Sequence, residues 1–135
     1  MYKSLLSFLL CVLTTLGLLK AEPIQWNSDF PAVPDEHGFA GPFAGVTGEE
    51  DDRWLIFGGG ANFPDGAPWE KGKKVWYDSL YAIQLEADSL KAKGQWSKLK
   101  ITLPEKLGYG ASVSLPNRKS TLFIGGNRPE DGKTH

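Results

Sequence analysis

Residues 54–59 read Trp-Leu-Ile-Phe-Gly-Gly, and residues 121–126 read Thr-Leu-Phe-Ile-Gly-Gly. In both stretches a run of residues that favour β-strands ends in a pair of glycines. Each stretch follows a Gly-rich segment and a polar turn, and before these stands a Trp followed by Phe-Pro or Leu-Pro. The spacing from Trp26 to Trp96 is nearly the same as that from Gly58 to Gly125. An ordered pattern that occurs twice predicts a fold built from repeated units.

The rest of the sequence predicts that these units are all-β. Its apolar runs are short and are bounded by Gly, Pro, Asn and Asp, which is typical of strands joined by turns. Residues 79–85 alternate between apolar and polar side chains, as a half-buried strand does. Residues 86–93 leave room for one helical turn. A Gly-rich β-sandwich is the alternative to a β-propeller, and the ordered repeat favours the propeller.

The repeated unit resembles the kelch repeat, in which an apolar strand ends in Gly-Gly and is followed by a Tyr strand and then by a Trp. The kelch period is about 50 residues, so the first unit contains an insertion of roughly 20 residues, which falls at residues 60–78. The resemblance implies a kelch-type β-propeller, in which Gly permits close backbone approach and buried aromatic residues fill the space between blades. The residues that carry the marks of the repeat are Gly58, Gly59, Tyr81, Trp96, Gly125 and Gly126.

The chain is expected to hold about one full blade and two partial ones. Residues 39–103 form the first blade, and residues 104–135 begin the second. Residues 25–34 are interpreted as the last strand of the final blade, which closes the ring of a propeller. Residues 22–135 are thus expected to be the N-terminal part of a propeller. Because open strand edges are prone to association, we do not expect this part to fold stably alone.

Residues 1–21 have the pattern of a secretory signal peptide. Lys3 precedes an apolar run at residues 5–19, and Ala21 is a small residue suited to cleavage. The run is shorter than the roughly 20 residues of a membrane-spanning helix, so cleavage near Ala21 is favoured over an uncleaved anchor, although Lys20 is unusual beside a cleavage site. The expected location is periplasmic or secreted. A membrane is a partner only if the signal stays uncleaved or a transporter domain follows.

Composition argues against several classes of site. Without Lys3 and Lys20, 13 basic and 16 acidic residues remain, a net charge of −3, which argues against nucleic acid as a partner. Cys11 is the only cysteine and lies in the signal, so the mature chain has no disulfide and no thiol nucleophile. The only histidines are His37 and His135. We therefore expect no metal site.

Four further motifs indicate which family of kelch-repeat proteins the chain resembles. Residues 38–41 read Gly-Phe-Ala-Gly, 59–64 read Gly-Gly-Ala-Asn-Phe-Pro, 69–76 read Trp-Glu-Lys-Gly-Lys-Lys-Val-Trp, and 107–112 read Leu-Gly-Tyr-Gly-Ala-Ser. Together they resemble the cyclically permuted mutarotases, which belong with the N-acetylneuraminate epimerases. The resemblance runs from about residue 25 to residue 126 and does not include the tail that follows.

The resemblance implies a six-bladed kelch propeller that interconverts the anomers of N-acetylneuraminate (sialic acid) or a related sugar. Its partner is a small sugar, and no cofactor is required. Opening the sugar ring needs a general base at the anomeric hydroxyl and an acid at the ring oxygen. The carboxylate of a sialic acid needs a cation, and Arg binds it best because it can do so in a bidentate manner.

The insertion is where sugar-binding side chains are expected, because it follows an inner strand and loops on a rigid scaffold often carry sites. An amide can hydrogen-bond sugar hydroxyls, an indole can pack on an apolar sugar face, ammonium groups can attract an anion, and a carboxylate can take a proton. The candidates are Asn62, Trp69, Lys73, Lys74 and Asp78.

Each candidate also has a structural interpretation. Asn62 lies in a turn-forming stretch, the lysines suit a solvated loop, and Asp78 suits a hydrogen bond to a neighbouring backbone. The resemblance implies that the acid and base lie on later blades, so no catalytic residue is assigned.

Three other functions remain open for a kelch propeller, because a fold alone does not determine function. One is a non-catalytic propeller that binds a carbohydrate or a protein. Another is an exported domain attached to a membrane transporter. The third is a copper oxidase, which the absence of cysteine from the mature chain disfavours.

Overall fold

The computed structural model describes residues 29–49, 51–87, 89–115 and 119–128. The predicted signal peptide, Trp26 and residues 129–135 lie outside these ranges. The described residues form antiparallel strands joined by turns and loops, with a single short 3₁₀ helix among them, so the predicted all-β class is confirmed. The elements are β1 (Phe43–Glu49), β2 (Asp52–Gly58), β3 (Ala61–Asn62), a 3₁₀ helix (Pro68–Glu70), β4 (Val75–Trp76), β5 (Ser79–Leu85), β6 (Ala92–Thr102), β7 (Ala111–Leu115) and β8 (Ser120–Ile124).

Four of the strands form one antiparallel sheet in the order β1-β2-β5-β6. Neighbours in this sheet follow one another in sequence except between β2 and β5, where the β3–β4 hairpin intervenes. The hairpin lies within residues 60–78, the predicted insertion. A four-stranded antiparallel sheet of this kind is the building block of a propeller. Strands β7 and β8 form a separate hairpin.

The buried core lies between the four-stranded sheet and the β7–β8 hairpin. Strand pairing turns Phe43 and Leu80 to the same face of the sheet. Phe43 is 1% exposed, and its ring stacks on that of Phe123 in β8 with centroids 5.1 Å apart. Leu103 completes the cluster. Full burial of one such side chain stabilises a fold by about 1.5–3 kcal/mol, so this contact joins the two units firmly.

The opposite face of the sheet carries an aromatic cluster. Phe57 stacks on Tyr81 with centroids 5.2 Å apart and meets Trp96 edge-on at 4.8 Å. The indole N–H of Trp96 donates to the Pro31 carbonyl oxygen at 3.0 Å, and Phe30 contacts the same indole. The segment predicted to close the ring thus covers this face, although its described residues, 29–34, form no strand. The closing strand stays a prediction.

The two glycine pairs correspond, but one residue away from the predicted register. Gly59-Gly60 has φ angles of 66° and 83°, and Gly125-Gly126 has 66° and 117°. Gly58, the predicted counterpart of Gly125, instead ends β2. At this turn the repeat therefore runs from Gly59 to Gly125. Counting along the sequence missed this because the first unit has three consecutive glycines, and only backbone angles show which two make the turn.

The segments that lead into β1 and β7 also correspond. Ala40 and Gly108 each form an isolated bridge with the residue that follows a glycine pair. The next residue is left-handed in both segments, with φ of 62° at Gly41 and 59° at Tyr109. The two units therefore share a backbone path at both the start of the first strand and the end of the second.

The second unit also satisfies the free edge of β1. The backbone N–H groups of Ala44 and Val46 donate to the hydroxyls of Ser112 and Ser114, each at 3.0 Å. The hydroxyl of Thr121 donates to the Val46 carbonyl oxygen at 3.1 Å. Unpaired strand edges invite pairing with another chain, and here side chains of the next unit occupy that edge.

The described part of residues 86–93 does not form the predicted helical turn. The Glu86 N–H donates to the Lys91 carbonyl oxygen at 3.0 Å, and β6 begins at Ala92. The guanidinium of Arg53 donates to the carbonyl oxygens of Glu86 and Ala87. The Glu86 carbonyl oxygen also accepts from the Ser89 N–H at 3.4 Å, so a turn held by backbone and by the Arg53 side chain stands here in place of a helix. In the part of the chain that the structure describes, no helix is long and apolar enough to cross a membrane.

Candidate functional site

All four family-like motifs meet at one end of the sheet. Antiparallel pairing sets the start of β1 opposite the end of β2, with Phe43 facing Gly58. The insertion and the β6–β7 connection join the sheet at this same end. We call this end the connection face and define it as residues 38–42, 59–78, 103–110 and 125–128.

Close backbone contacts hold the connection face together. The Gly60 N–H donates to the Leu107 carbonyl oxygen at 2.7 Å, and the Tyr109 N–H donates to the Gly41 carbonyl oxygen at 2.7 Å. A Cβ added to Gly108 would lie 2.8 Å from the Gly60 Cα. Glycine is required at such crossings because any side chain would push the backbones apart. Three motifs that are distant in sequence are thereby fixed to one another.

Asn62 ties the insertion to the segment before β1. Its amide nitrogen donates to an Asp35 carboxylate oxygen at 3.1 Å and to the Gly38 carbonyl oxygen at 2.9 Å. Its amide oxygen accepts from the Tyr77 hydroxyl at 2.7 Å. Asn62 is 6% exposed, and these bonds use both of its donors and one of its acceptor positions. Its geometry is that of a buried connector, and its contact with sugar stays a prediction.

The environment of Tyr77 raises its pKa above the ordinary tyrosine value. Burial of the phenol is the largest cause, and the nearby Asp35 carboxylate adds to it because a second negative charge would be repelled. The hydrogen bond with Asn62 acts in the opposite direction. Tyr77 therefore stays protonated and donates its hydroxyl hydrogen throughout the physiological range.

Lys74 lies between two aromatic rings. Its Nζ is 4.4 Å from the ring centroid of Trp76 and 4.5 Å from that of Tyr109. The two rings meet edge-on, with centroids 5.6 Å apart. A cation within about 6 Å of an aromatic centroid is attracted by the ring. The insertion and the β6–β7 connection therefore meet around one positive charge.

Tyr109 holds its ring in this cluster from a left-handed backbone conformation, with φ of 59°. Left-handed backbone costs a non-glycine residue about 1–2 kcal/mol. A Cβ on Gly41 would lie 2.5 Å from the Tyr109 ring, so glycine at that position makes room for the ring. Tyr109 is 49% exposed, whereas Trp76 is 9% exposed.

The other candidates are more scattered. Trp69 lies on the 3₁₀ helix and is 84% exposed. Lys73 is exposed, and Asp78 is half-buried just before β5. The Asp78 carbonyl oxygen accepts from the Leu103 N–H at 2.8 Å. The structure does not bring these three together with Lys74, and their predicted contacts with sugar stay predictions.

A shallow cleft of about 390 Å³ opens beside the insertion. It runs between the segment before β1 and the loop after β3, and ligand pockets of about 300–1,000 Å³ are usual for small molecules. Its walls include His37, Asn62 and Phe63. Among the described residues, no group of three or more His, Cys, Asp or Glu side chains could hold a metal ion.

Sequence reasoning does not single out Tyr109 as a member of this cluster, and it leaves Trp76 open between sugar packing and core. A Trp just before a strand is typical of core, which agrees with the burial of Trp76. Tyr109 stands in the Gly-Tyr-Gly triplet at residues 108–110, at a place where the first unit has glycine. A large side chain between two glycines is the available signal, because such a turn usually needs small residues.

These features define a class of protein: an all-β chain with a four-stranded antiparallel sheet and a second hairpin that repeats its turns. Comparison with known proteins gives the family. An N-acetylneuraminate epimerase from Haemophilus influenzae (strain 86-028NP) is 32% identical, over 82% of this chain and 29% of that protein. One from Pasteurella multocida (strain Pm70) is 32% identical, over 84% of this chain and 30% of that protein. One from Yersinia pestis (strain Pestoides F) is 27% identical, over 82% of this chain and 28% of that protein.

The predicted family relationship is confirmed: over the matched region the chain is a relative of the N-acetylneuraminate epimerases. The chain spans 28% to 30% of the length of these relatives. No family model matches the chain, and no solved structure matches it.

Proposed function

We propose that this chain is part of a sugar mutarotase or epimerase that interconverts the anomers of N-acetylneuraminate or a related sugar. The observation that carries the proposal is the convergence of the four family-like motifs on the connection face. These motifs are spread from Gly38 to Ser112 in the sequence, yet hydrogen bonds and glycine crossings bring them together. Convergence of this kind is expected where residues serve one site.

The proposed reaction needs only proton transfers. A base removes the proton of the anomeric hydroxyl, the bond from the anomeric carbon to the ring oxygen breaks, and an acid protonates that oxygen. The open-chain carbonyl then rotates, and the ring hydroxyl adds back to its other face. In this proposal the connection face binds and orients the sugar. The acid and base belong to parts of the protein beyond this chain, and no residue described here is given either role.

We also propose that the complete protein is a kelch-type propeller of six blades. Support comes from the repeated glycine turns, from the repeated left-handed residue before β1 and β7, and from packing of the first unit against the second through Phe43 and Phe123. The aromatic face around Phe57 and Trp96 would then meet the final blade. A complete structure with another number of blades would refute this part.

Export to the periplasm or outside the cell is part of the same proposal. It rests on the apolar run at residues 5–19 and on Ala21. Mass spectrometry of protein recovered from the periplasm or medium would show a new N-terminus near residue 22. Protein found only inside the cell with Met1 retained would contradict export.

Exchange spectroscopy tests the activity directly. The complete protein, expressed without its signal, is added to equilibrated N-acetylneuraminate, and saturation-transfer NMR measures exchange between the anomers. We expect exchange well above the spontaneous rate, and a heat-denatured sample provides the matched control. Binding of the sugar without faster exchange would favour the non-catalytic carbohydrate-binding propeller. Absence of both would favour a different ligand.

A further inference from the structure

We propose that Lys74 and Tyr109 form the part of the site that recognises a carboxylate on the sugar, with Trp76 as its floor. The inference rests on the proposed function, since it assigns residues of this chain to binding the carboxylate of the proposed substrate. The ammonium group meets the carboxylate, and the exposed face of the Tyr109 ring packs against the sugar.

The first argument is the way in which Lys74 is held. Two aromatic rings lie 4.4 Å and 4.5 Å from its Nζ, and they fix the position of an otherwise flexible side chain. The ion pairs of the described residues engage other basic groups, namely His37, Lys119 and Arg128. Within the described part of the chain, Lys74 pairs with no carboxylate. Aromatic faces do not use the N–H donors of an ammonium as an anion does, so these donors stay available to an anionic ligand.

The second argument is the backbone of Tyr109. The corresponding residue in the first unit is Gly41, which adopts the same left-handed conformation without strain. Tyrosine in this position is strained, and strained residues cluster at functional sites. The fold accommodates the ring further by having glycine at residue 41, where a Cβ would strike it. The ring is nevertheless 49% exposed, so it gains less from burial than a core aromatic would.

The third argument is electrostatic. The chain has a formal net charge of −1, so its overall charge does not attract an anion. An anionic sugar therefore needs a localised cation at the place where it binds. Lys74 is half-buried beside Trp76, which is 9% exposed, and a charge pair in such a place is screened less than one on an open surface.

Paired ligands and paired variants test the proposal in the complete protein. Binding of N-acetylneuraminate and of its methyl ester is measured by calorimetry, because the ester keeps the sugar ring but removes the negative charge. The Lys74→Met variant removes the ammonium and keeps most of the stem, and Lys93→Met, at an exposed lysine of β6 outside the connection face, is the control. We expect Lys74→Met to weaken binding of the acid about tenfold or more, the range for a hydrogen bond to a charged group, and to leave the ester unchanged. Lys93→Met should change neither.

Tyr109→Gly tests the ring separately. It removes the aromatic face and relieves the left-handed strain, so we expect weaker sugar binding with a Tm that is unchanged or higher. A lower Tm with unchanged binding would show that the ring is purely structural and would overturn its role.

Equal binding of acid and ester by the wild-type protein, or equal losses of acid binding in Lys74→Met and Lys93→Met, would overturn the role of Lys74. These outcomes are distinct from failure of the proposed function. If the wild-type protein binds the acid through Lys74 but does not speed anomer exchange, the carboxylate subsite stands and the enzyme proposal fails. If exchange is fast and Lys74→Met binds normally, the enzyme proposal stands and the subsite fails.

Discussion

The two glycine turns share a backbone but differ in their surroundings. Gly59 has φ of 66°, and a Cβ there would overlap the Leu107 carbonyl oxygen and lie 2.8 Å from a Leu103 methyl carbon. Gly125 has the same φ of 66°, yet within the described residues a Cβ there would meet nothing within 4 Å. The first glycine of the pair is thus crowded in the first unit and open in the second. The second glycine is crowded in both units, since a Cβ would lie 2.9 Å from the Ala40 carbonyl oxygen at Gly60 and 3.1 Å from the Gly108 carbonyl oxygen at Gly126.

The difference shows what each glycine is for. Backbone conformation demands glycine at all four positions. At the first position of the pair, close packing demands it only at Gly59, where the insertion and the β6–β7 connection cross. The residue two positions after each pair differs in the same way. Asn62 is buried with three hydrogen-bond partners, while Arg128 is exposed and pairs with Glu105 at 2.8 Å.

Substitution of Gly59 and of Gly125 should give the largest difference in the free energy of unfolding. Gly59→Ala adds left-handed strain of about 1–2 kcal/mol to overpacking of about 1–3 kcal/mol, so we expect destabilisation of about 3 kcal/mol or more. Gly125→Ala adds only the strain, about 1 kcal/mol. Urea unfolding of the complete protein, followed by tryptophan fluorescence, measures both changes in stability.

Equal losses of stability in Gly59→Ala and Gly125→Ala would contradict the difference between the two turns. They would mean either that the first turn relaxes away from Leu107 at little cost, or that the second is as closely packed as the first. Gly94→Ala is a useful reference, because Gly94 has φ of 96° and open space around its Cβ position.

Substitution of Asn62 and of Arg128 by Ala should give the next largest difference in the free energy of unfolding. Asn62→Ala leaves a carbonyl group, a carboxylate and a phenol without their shared partner, and we expect a loss of about 2–3 kcal/mol. Arg128→Ala removes an exposed ion pair and should cost less than about 1 kcal/mol, with a smaller loss at high salt. Thermal unfolding at low and high ionic strength separates the two. A salt-dependent loss at Asn62, or a loss at Arg128 as large as that at Asn62, would contradict this interpretation.

Much of the fold is accessible from sequence because its signals are local. Strand-forming runs end in glycines, and turn residues separate them, so the all-β class and the position of the insertion follow from short-range patterns. The predicted register of the repeat is wrong by one residue at the glycine turn. Three consecutive glycines, Gly58 to Gly60, look alike as letters, and only their φ angles distinguish the strand residue from the turn.

The candidate site is less accessible, because it depends on contacts between distant segments. The charge of Lys74 makes it a candidate, but its aromatic partners are set by the pairing of β3 with β4 and by the path of the β6–β7 connection. The amide of Asn62 suits sugar hydroxyls, and its burial with Asp35 and Tyr77 becomes visible only in three dimensions. Residue type indicates what a side chain can do, whereas the fold determines which neighbours it has.

The smallest predicted effect concerns the protonation of Tyr77, which binds Asn62 in the first unit and has no counterpart interaction described in the second. Its pKa is raised in the folded protein, chiefly by burial and then by Asp35, so the unfolded chain loses this proton at lower pH than the folded one. The folded state then binds more protons, and the free energy of unfolding must fall as pH rises above about 10. We expect this fall to be steeper in the wild-type protein than in Tyr77→Phe, which has no proton to lose at this position. Urea unfolding between about pH 9 and pH 11 measures the difference, and parallel profiles for the two proteins would show that the hydroxyl of Tyr77 titrates alike in both states.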